Sequence, residues 1–171
     1  MLVLELGRLL VAELPHLRRY ARALVRDPER ADDLVQDCLE RAWSRSHLLR
    51  SKAELRTWLF TILHNIYVSG VRKHARDPLL AVDGSADSTG STPPAQEHDV
   101  ALRELPGALA ALDADQRAAV LLVGLEDLSY REAASVLGIP LGTLMSRLHR
   151  GRRRLRVLME GGAPIHLKRV K

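Results

Sequence analysis

Apolar residues recur every three or four positions along most of this chain, which is the period of an amphipathic α-helix. Residues 4–26 follow this period through leucines, and they predict a first helix with Leu6, Leu9, Leu10, Leu14, Leu17 and Leu24 on one side. Asp27 followed by Pro28 is typical of a helix start, because Asp caps free backbone N–H groups and proline fits the first turn. The second helix is expected through ADDLVQDCLERAW, with an apolar stripe formed by Ala31, Leu34, Val35, Cys38, Leu39 and Ala42.

A third helix is expected through LRTWLFTILHNIYVSGVRKHAR, residues 55–76. Ser51 and Glu54 have the spacing of a capping box in front of it. Its buried side is expected to consist of Leu55, Leu59, Ile62 and Ile66. Between the second and third helices, SRSHLLRSK is predicted to form a short basic loop.

The helical pattern returns near residue 100. Asp113 with Gln116 resembles a helix start before RAAVLLVGL, and Ser129 with Glu132 has capping-box spacing. The segment AASVLGIPLGTLMSRLHRGRRRLRVLM is then predicted to form a short helix, a turn at Gly138 and a longer helix that is rich in arginine. This is the sequence form of a helix-turn-helix.

The second helix of such a motif enters the major groove of DNA with its N-terminal half, where Arg pairs with guanine. The outward-facing residues are predicted to be Thr143, Ser146, Arg147 and Arg150. The arginines that follow are expected to meet phosphate groups. The alternative is a solvated basic helix on an ordinary bundle. DNA binding is favoured, because the capping box, the small-residue core, the glycine turn and the arginine-rich helix occur together.

Charge divides the chain into three parts. Residues 1–76 hold 14 basic and 9 acidic side chains, residues 77–99 hold five acids and no Lys or Arg, and residues 100–171 hold 12 basic and 7 acidic side chains. The middle part contains DGSADSTGSTPP, whose composition opposes helix and strand formation. A flexible acidic linker between two basic helical domains is favoured over a long loop within one domain, because long structureless loops are uncommon in compact domains.

Composition adds exclusions to this all-α prediction. The 171 residues are 46% hydrophobic and only 4% aromatic, with a net charge of +5. The single cysteine, Cys38, excludes an internal disulfide and a multi-cysteine metal site. The chain lacks an apolar run long enough for a bilayer and a signal-peptide core, so a cytoplasmic protein without membrane insertion is expected. The seven histidines lack metal-site spacing, and no phosphate loop or nucleophile elbow occurs, so we expect no enzyme activity, cofactor, metal or small-molecule substrate.

Three blocks in this order resemble the bacterial RNA polymerase sigma factors of the extracytoplasmic-function (ECF) group: ADDLVQDCLERAW, RTWLFTILHNIYVSGVRKH and LSYREAASVLGIPLGTLMSRLHRGRRRLR. The resemblance covers nearly everything from about residue 10 to residue 158. It implies sigma domain two in residues 1–76, an acidic linker in residues 77–99, sigma domain four in residues 100–160 and a basic tail in residues 161–171. It also implies a transcription initiation factor that joins core RNA polymerase, binds promoter DNA and is held by an anti-sigma factor.

The resemblance assigns a role to each block. In the second helix, an acidic stripe with a neighbouring arginine is implied to bind core polymerase: Asp33, Asp37, Glu40 and Arg41. A solvated helix face is the simpler interpretation of the same charges. The third helix and the loop before it are implied to contact the minus-ten promoter element through Arg50, Lys52, Arg56, His64, Asn65, Arg72 and Lys73. The helix-turn-helix is implied to contact the minus-thirty-five element through Arg131, Thr143, Ser146, Arg147, Arg150, Arg152, Arg153 and Arg154. Trp43 is expected to pack in the core.

Two other binding functions are compatible with the same sequence. An ordinary helix-turn-helix transcription factor would leave the first domain without a role. A sigma-like decoy that binds an anti-sigma protein would not need an arginine-rich recognition helix. The free chain is expected to carry its two domains on a flexible tether with their docking faces open. The tether of about 22 residues spans roughly 26 Å, which is usually too short for both domains to engage a promoter without polymerase.

Overall fold

The computed structural model describes residues 3–76 and 97–159, and within those ranges its regular structure is helical. The helices are α1 (Val3–Val25), α2 (Pro28–Ser44), α3 (Leu55–Arg76), α4 (Glu97–Ala110), α5 (Ala114–Gly124), α6 (Tyr130–Leu137) and α7 (Leu141–Met159). Short 3₁₀ turns at Ser46–Leu48 and Lys52–Glu54 connect α2 to α3. The all-α prediction is confirmed. Most of the predicted linker and the basic tail lie outside the described residues, and α4 begins at Glu97, inside the segment predicted as linker.

The predicted helix starts after Asp27, Asp113 and Ser129 are correct, although the Asp113 side chain makes no capping hydrogen bond, and the capping box predicted at Ser51 is wrong. The Asp27 side chain accepts hydrogen bonds from the backbone N–H groups of Glu29 and Arg30 at 2.9 and 3.2 Å. Ser129 and Glu132 form the expected capping box, with distances of 3.3 and 2.8 Å. Ser51 caps no α-helix with its side chain, because the 3₁₀ turn intervenes before α3 begins.

Helices α1, α2 and α3 form an N-terminal bundle (residues 3–76), in which each helix packs against the other two. The predicted stripe of α2 faces this core, with Leu39 only partly buried. Phe60 and Leu63 join the predicted buried side of α3, whereas Ile62 is half-buried. The rings of Tyr20 and Phe60 meet edge to face, with centroids 5.3 Å apart. These contacts fix the directions in which the outer faces of α2 and α3 point.

Helices α4 to α7 form a C-terminal bundle (residues 97–159) that contains the predicted helix-turn-helix. Gly138 ends α6 with a φ of 62°, a left-handed conformation that glycine adopts without strain. Leu144 and Leu148 bury one side of α7, as predicted. At Gly151, α7 approaches α5 so closely that an added Cβ would lie 2.8 Å from Cγ2 of Val120. The glycine therefore permits a close helix contact, which its sequence position alone does not reveal.

The two bundles pack against each other, α1 against α5 and α3 against α6. Glu126, in the loop between α5 and α6, is buried at this junction with 1% of its surface exposed. Arg117 of α5 also donates a hydrogen bond to the backbone carbonyl of Leu24 at 3.3 Å. The expected division into two helical domains is confirmed, but the expectation that their faces are open is wrong for this arrangement, because hydrogen bonds, ion pairs and helix contacts join the two bundles. None of the helices in the described ranges is long and apolar enough to cross a membrane.

Candidate functional site

The outer face of α7 is strongly basic. Thr143, Ser146 and Arg150 are exposed there, as predicted, and the Ser146 hydroxyl donates a hydrogen bond to the Gly142 carbonyl at 3.0 Å. Arg153 and Arg154 are exposed one turn farther along. A shallow depression of about 280 Å³ is lined by Arg150, Arg153, Arg154 and Val157. This surface offers fixed cationic groups to an extended anion.

Arg147 does not share that face, which differs from the prediction. Its guanidinium forms a 2.6 Å ion pair with Asp115 of α5, and only 25% of its side chain is exposed. Position 147 lies within about 60° of Thr143 and Arg150 around the helix axis, so it is the ion pair with Asp115 that draws the Arg147 guanidinium away from the exposed face. Arg152 is also partly buried, 3.5 Å from the Tyr130 hydroxyl, whereas Arg131 is exposed on α6. His149, which the sequence reasoning left out, is exposed on α7.

The predicted minus-ten residues divide into an exposed and an engaged set. The exposed set comprises Arg50, Asn65, Arg72 and Lys73, while Lys52 pairs with Glu5 and thereby lowers the pKa of that carboxyl group. Arg56 is part-buried and bonded to Glu126 of the C-terminal bundle. His64 is partly buried, its Nδ1 3.4 Å from the Tyr20 hydroxyl, and burial lowers its pKa to about 4. His64 is therefore a neutral interior group in this arrangement.

The acidic stripe lies on the exposed face of α2. Asp33, Asp37, Glu40 and Arg41 are all exposed, and Gln36 donates a hydrogen bond to Glu40 at 3.2 Å. Trp43 is 48% exposed, so the expectation that it packs in the core is wrong. The face therefore presents carboxylates next to an accessible aromatic ring.

Cys38 is the free cysteine of the N-terminal bundle, and burial raises the pKa of its thiol to about 12. Its Sγ lies 3.5 Å from the Leu59 carbonyl. No group of three or more metal-ligating side chains converges in the ranges that the structure covers. The predicted interpretation of this cysteine as a small buried hydrophobe agrees with that placement.

Both bundles are similar in sequence to known protein families. Residues 10–64 match the family model described as the Sigma2 domain of PhyR, and residues 102–155 match that of Sigma-70, region 4. The chain is 39% identical over 150 residues to the ECF RNA polymerase sigma factor EcfG of Rhodopseudomonas palustris (strain TIE-1), covering 88% of this chain and 82% of that protein. This chain belongs to the ECF sigma factors. It is also 31% identical over 147 residues to the ECF sigma factor SigM of Bacillus subtilis (strain 168), across 84% of this chain and 88% of SigM.

Solved structures agree with that membership. The sigma factor RpoE of Bartonella quintana, crystallised with the anti-sigma factor NepR, superposes with a TM-score of 0.79 at 37% identity, covering 92% of this sigma factor and 98% of that chain. The PhyRSL–NepR complex of Sphingomonas sp. Fr1 matches with a TM-score of 0.63 at 20% identity, covering 97% and 96% of the two chains. The second likeness concerns the fold alone. The outer face of α7 belongs to the region-4 match, and the acidic stripe of α2 belongs to the Sigma2 match.

Proposed function

We propose that this sigma factor binds core RNA polymerase through α2 and recognises promoter DNA through α7. The observation that carries the DNA assignment is the composition of α7, which holds six arginines and no acidic residue. An extended cationic face of this kind suits the phosphate backbone, which supplies most of the affinity of DNA-binding helices. Within it, Ser146 and Arg150 are the base-reading residues and Arg153 with Arg154 bind phosphate.

The DNA assignment is tested on holoenzyme reconstituted with core RNA polymerase and on duplexes that this holoenzyme selects from a random pool. Arg150→Ala should cost about 1–3 kcal/mol at one base-pair position, because a bidentate Arg–guanine pair is lost. Arg153→Ala should weaken every sequence alike and reduce the salt dependence. The control is Arg8→Ala, which removes the same charge from an exposed site on α1. Equal losses for Arg150→Ala on selected and random duplexes would show that Arg150 does not read bases.

The polymerase assignment rests on the exposed carboxylates of α2. Reversing Asp33 and Asp37 to Lys should abolish association with core polymerase. The free energy of unfolding should change by less than about 1 kcal/mol, because both side chains are exposed. Surface-immobilised core polymerase measures the association. Glu54→Lys combined with Glu104→Lys makes the same change in total charge at exposed positions away from the stripe. Normal holoenzyme formation by the Asp33/Asp37 variant would remove the assignment.

The minus-ten contacts are proposed for the exposed cations near α3, namely Arg50, Arg72 and Lys73, with Asn65 beside them. Residues 1–76 and 100–160 would then act as sigma domains two and four. Arg56 and His64 contribute only if the junction between the bundles opens. This sigma factor would act in the cytoplasm by binding alone, without catalysis.

An anti-sigma protein is the proposed inhibitory partner. The similar sigma factor RpoE is described in complex with the anti-sigma factor NepR, which supports a partner of that class here. The decoy alternative draws on the match of residues 10–64 to the PhyR model and on PhyR being described as an anti-anti-sigma factor. Identity favours the sigma factor over the decoy, with 37% to RpoE against 17% to PhyR of Bartonella quintana.

A further inference from the structure

Glu126 is a buried carboxylate whose ionic partners all come from the other bundle. Its Oε1 accepts a hydrogen bond from Nε of Arg19 at 2.8 Å, and its Oε2 accepts one from Nη2 of the same arginine at 2.9 Å. Nδ1 of His16 lies 3.1 Å from Oε2, and Nη2 of Arg56 lies 3.4 Å from it. The carboxylate therefore joins the C-terminal bundle to both α1 and α3.

Backbone contacts reinforce the same junction. Arg56 donates a hydrogen bond to the Glu126 carbonyl at 2.8 Å, and Arg19 donates one to the Leu125 carbonyl at 3.1 Å. A carboxylate without exposed surface needs such partners, because burying a charge without compensation is strongly unfavourable. Removing either side of this ion cluster should therefore shift the balance toward separated bundles.

The closed junction also engages residues that the proposed function assigns to DNA. Arg56 directs its guanidinium into the cluster, with 32% of its side chain exposed. His64 of α3 is partly buried and lies close enough to Asp115 and Arg147 of the C-terminal bundle for both charges to affect its pKa, while those two residues pair with each other. Arg56 and His64 are only partly exposed, whereas Arg150 and Arg153 are exposed. Closure thus engages the guanidinium of Arg56, which would otherwise be available to DNA.

We propose that Glu126, held by Arg19, Arg56 and His16, is a latch that keeps the free chain closed and masks part of its DNA-binding surface. The masking rests on the proposed function, whereas the closure rests on the ion cluster alone. Opening exposes the guanidinium group of Arg56, whereas the pair between Arg147 and Asp115 lies within the C-terminal bundle and is unaffected. Holoenzyme assembly then has to break this cluster before both bundles engage DNA.

The test compares full-length variants by small-angle X-ray scattering and by affinity for random-sequence duplex DNA without polymerase. Glu126→Gln removes the charge of the latch, and its control Asp127→Asn removes the same charge from the exposed neighbouring residue. Arg19→Gln removes a half-exposed ionic partner of Glu126. Its control, Arg18→Gln, removes an exposed arginine that lies near Asp32 of the same bundle. Circular dichroism verifies that each variant keeps its helices.

We expect both latch variants to increase the radius of gyration and to tighten duplex binding by about tenfold or more, since apparent affinity follows the open fraction. The Arg19→Gln variant separates loss of charge from loss of the latch, because the two have opposite effects on DNA binding. Loss of a positive charge by itself weakens DNA binding, whereas loss of the latch strengthens it. Neither control should produce these changes.

An unchanged radius of gyration in both folded latch variants would overturn the latch, whatever their DNA affinity. A larger radius with unchanged or weaker duplex binding would overturn the masking. Absence of duplex binding by every variant would contradict both the masking and the DNA assignment of the proposed function, while the scattering comparison would still decide whether Glu126 closes the chain.

Discussion

Gly151 sets the distance between α5 and α7, and Gly151→Ala tests this close contact. In a helix interior the substitution alone should stabilise the protein by up to about 1 kcal/mol. Here the new Cβ would lie 2.8 Å from Cγ2 of Val120 and 3.4 Å from Cβ of Gln116. Carbon atoms prefer separations of about 3.5–4.0 Å, so α5 or α7 must move.

The expected change in the free energy of unfolding is the difference between these two opposing effects. Overpacking a well-packed core typically costs about 1–3 kcal/mol, and the gain in helix propensity offsets up to about 1 of it. We therefore expect Gly151→Ala to lower the free energy of unfolding by about 1 kcal/mol. Urea denaturation followed by far-ultraviolet circular dichroism measures this change.

Two further variants test whether the effect of Gly151→Ala comes from its contact with α5. In a Val120→Ala background the clashing methyl group is gone, so Gly151→Ala should there be neutral or stabilising. The difference between the two backgrounds is the coupling of a double-mutant cycle. Gly7→Ala is the matched control in α1, because nothing lies within 4 Å of its added Cβ. If Gly151→Ala stabilised the chain as much as Gly7→Ala, the close approach of α5 and α7 would be refuted.

Two more predictions concern His64 and Ser129. Since the pKa of His64 is lowered from 6.5 to about 4, the unfolded chain binds an extra proton between those values. The free energy of unfolding should therefore decrease as the pH is lowered from 6.5 to about 4, by up to about 1.4 kcal/mol per pH unit. Denaturation of His64→Gln at several pH values should show a flatter profile, unlike exposed His47→Gln; an unchanged slope would contradict the burial. Ser129→Ala should cost about 1 kcal/mol in thermal or urea unfolding, because it removes the acceptor of the Glu132 N–H. Ser135→Ala on the exposed side of α6 should change little, and equal effects would remove the capping assignment.

Local signals in the sequence were sufficient for most of the fold. Helix caps act over only a few residues, so the short sequences around Asp27, Ser129 and Gly138 are enough to predict them. The Ser51 capping box failed because a 3₁₀ turn satisfies part of the same backbone by other means. The prediction that Trp43 is buried was wrong for a different reason, since an aromatic residue at the end of an apolar stripe can lie just past the edge of the core. Local spacing cannot separate those outcomes.

The junction between the bundles depends on partners that are far apart in the chain. Glu126 and Arg19 are 107 residues apart, and nothing in the residues around either one indicates the other. Within the C-terminal bundle, helical periodicity likewise places Arg147 on the outer side of α7 but does not indicate its ion pair with Asp115 of α5. Six arginines were predicted to contact promoter DNA at the helix-turn-helix, yet the sequence alone could not say which of them form ion pairs within the protein. That division determines which arginines can bind DNA, because a guanidinium already paired with a carboxylate reaches phosphate only after the pair opens. The predicted surface therefore consists of an exposed set, represented by Arg150 and Arg153, and a set engaged by carboxylates of the protein itself, with Arg147 paired to Asp115 and Arg56 to Glu126.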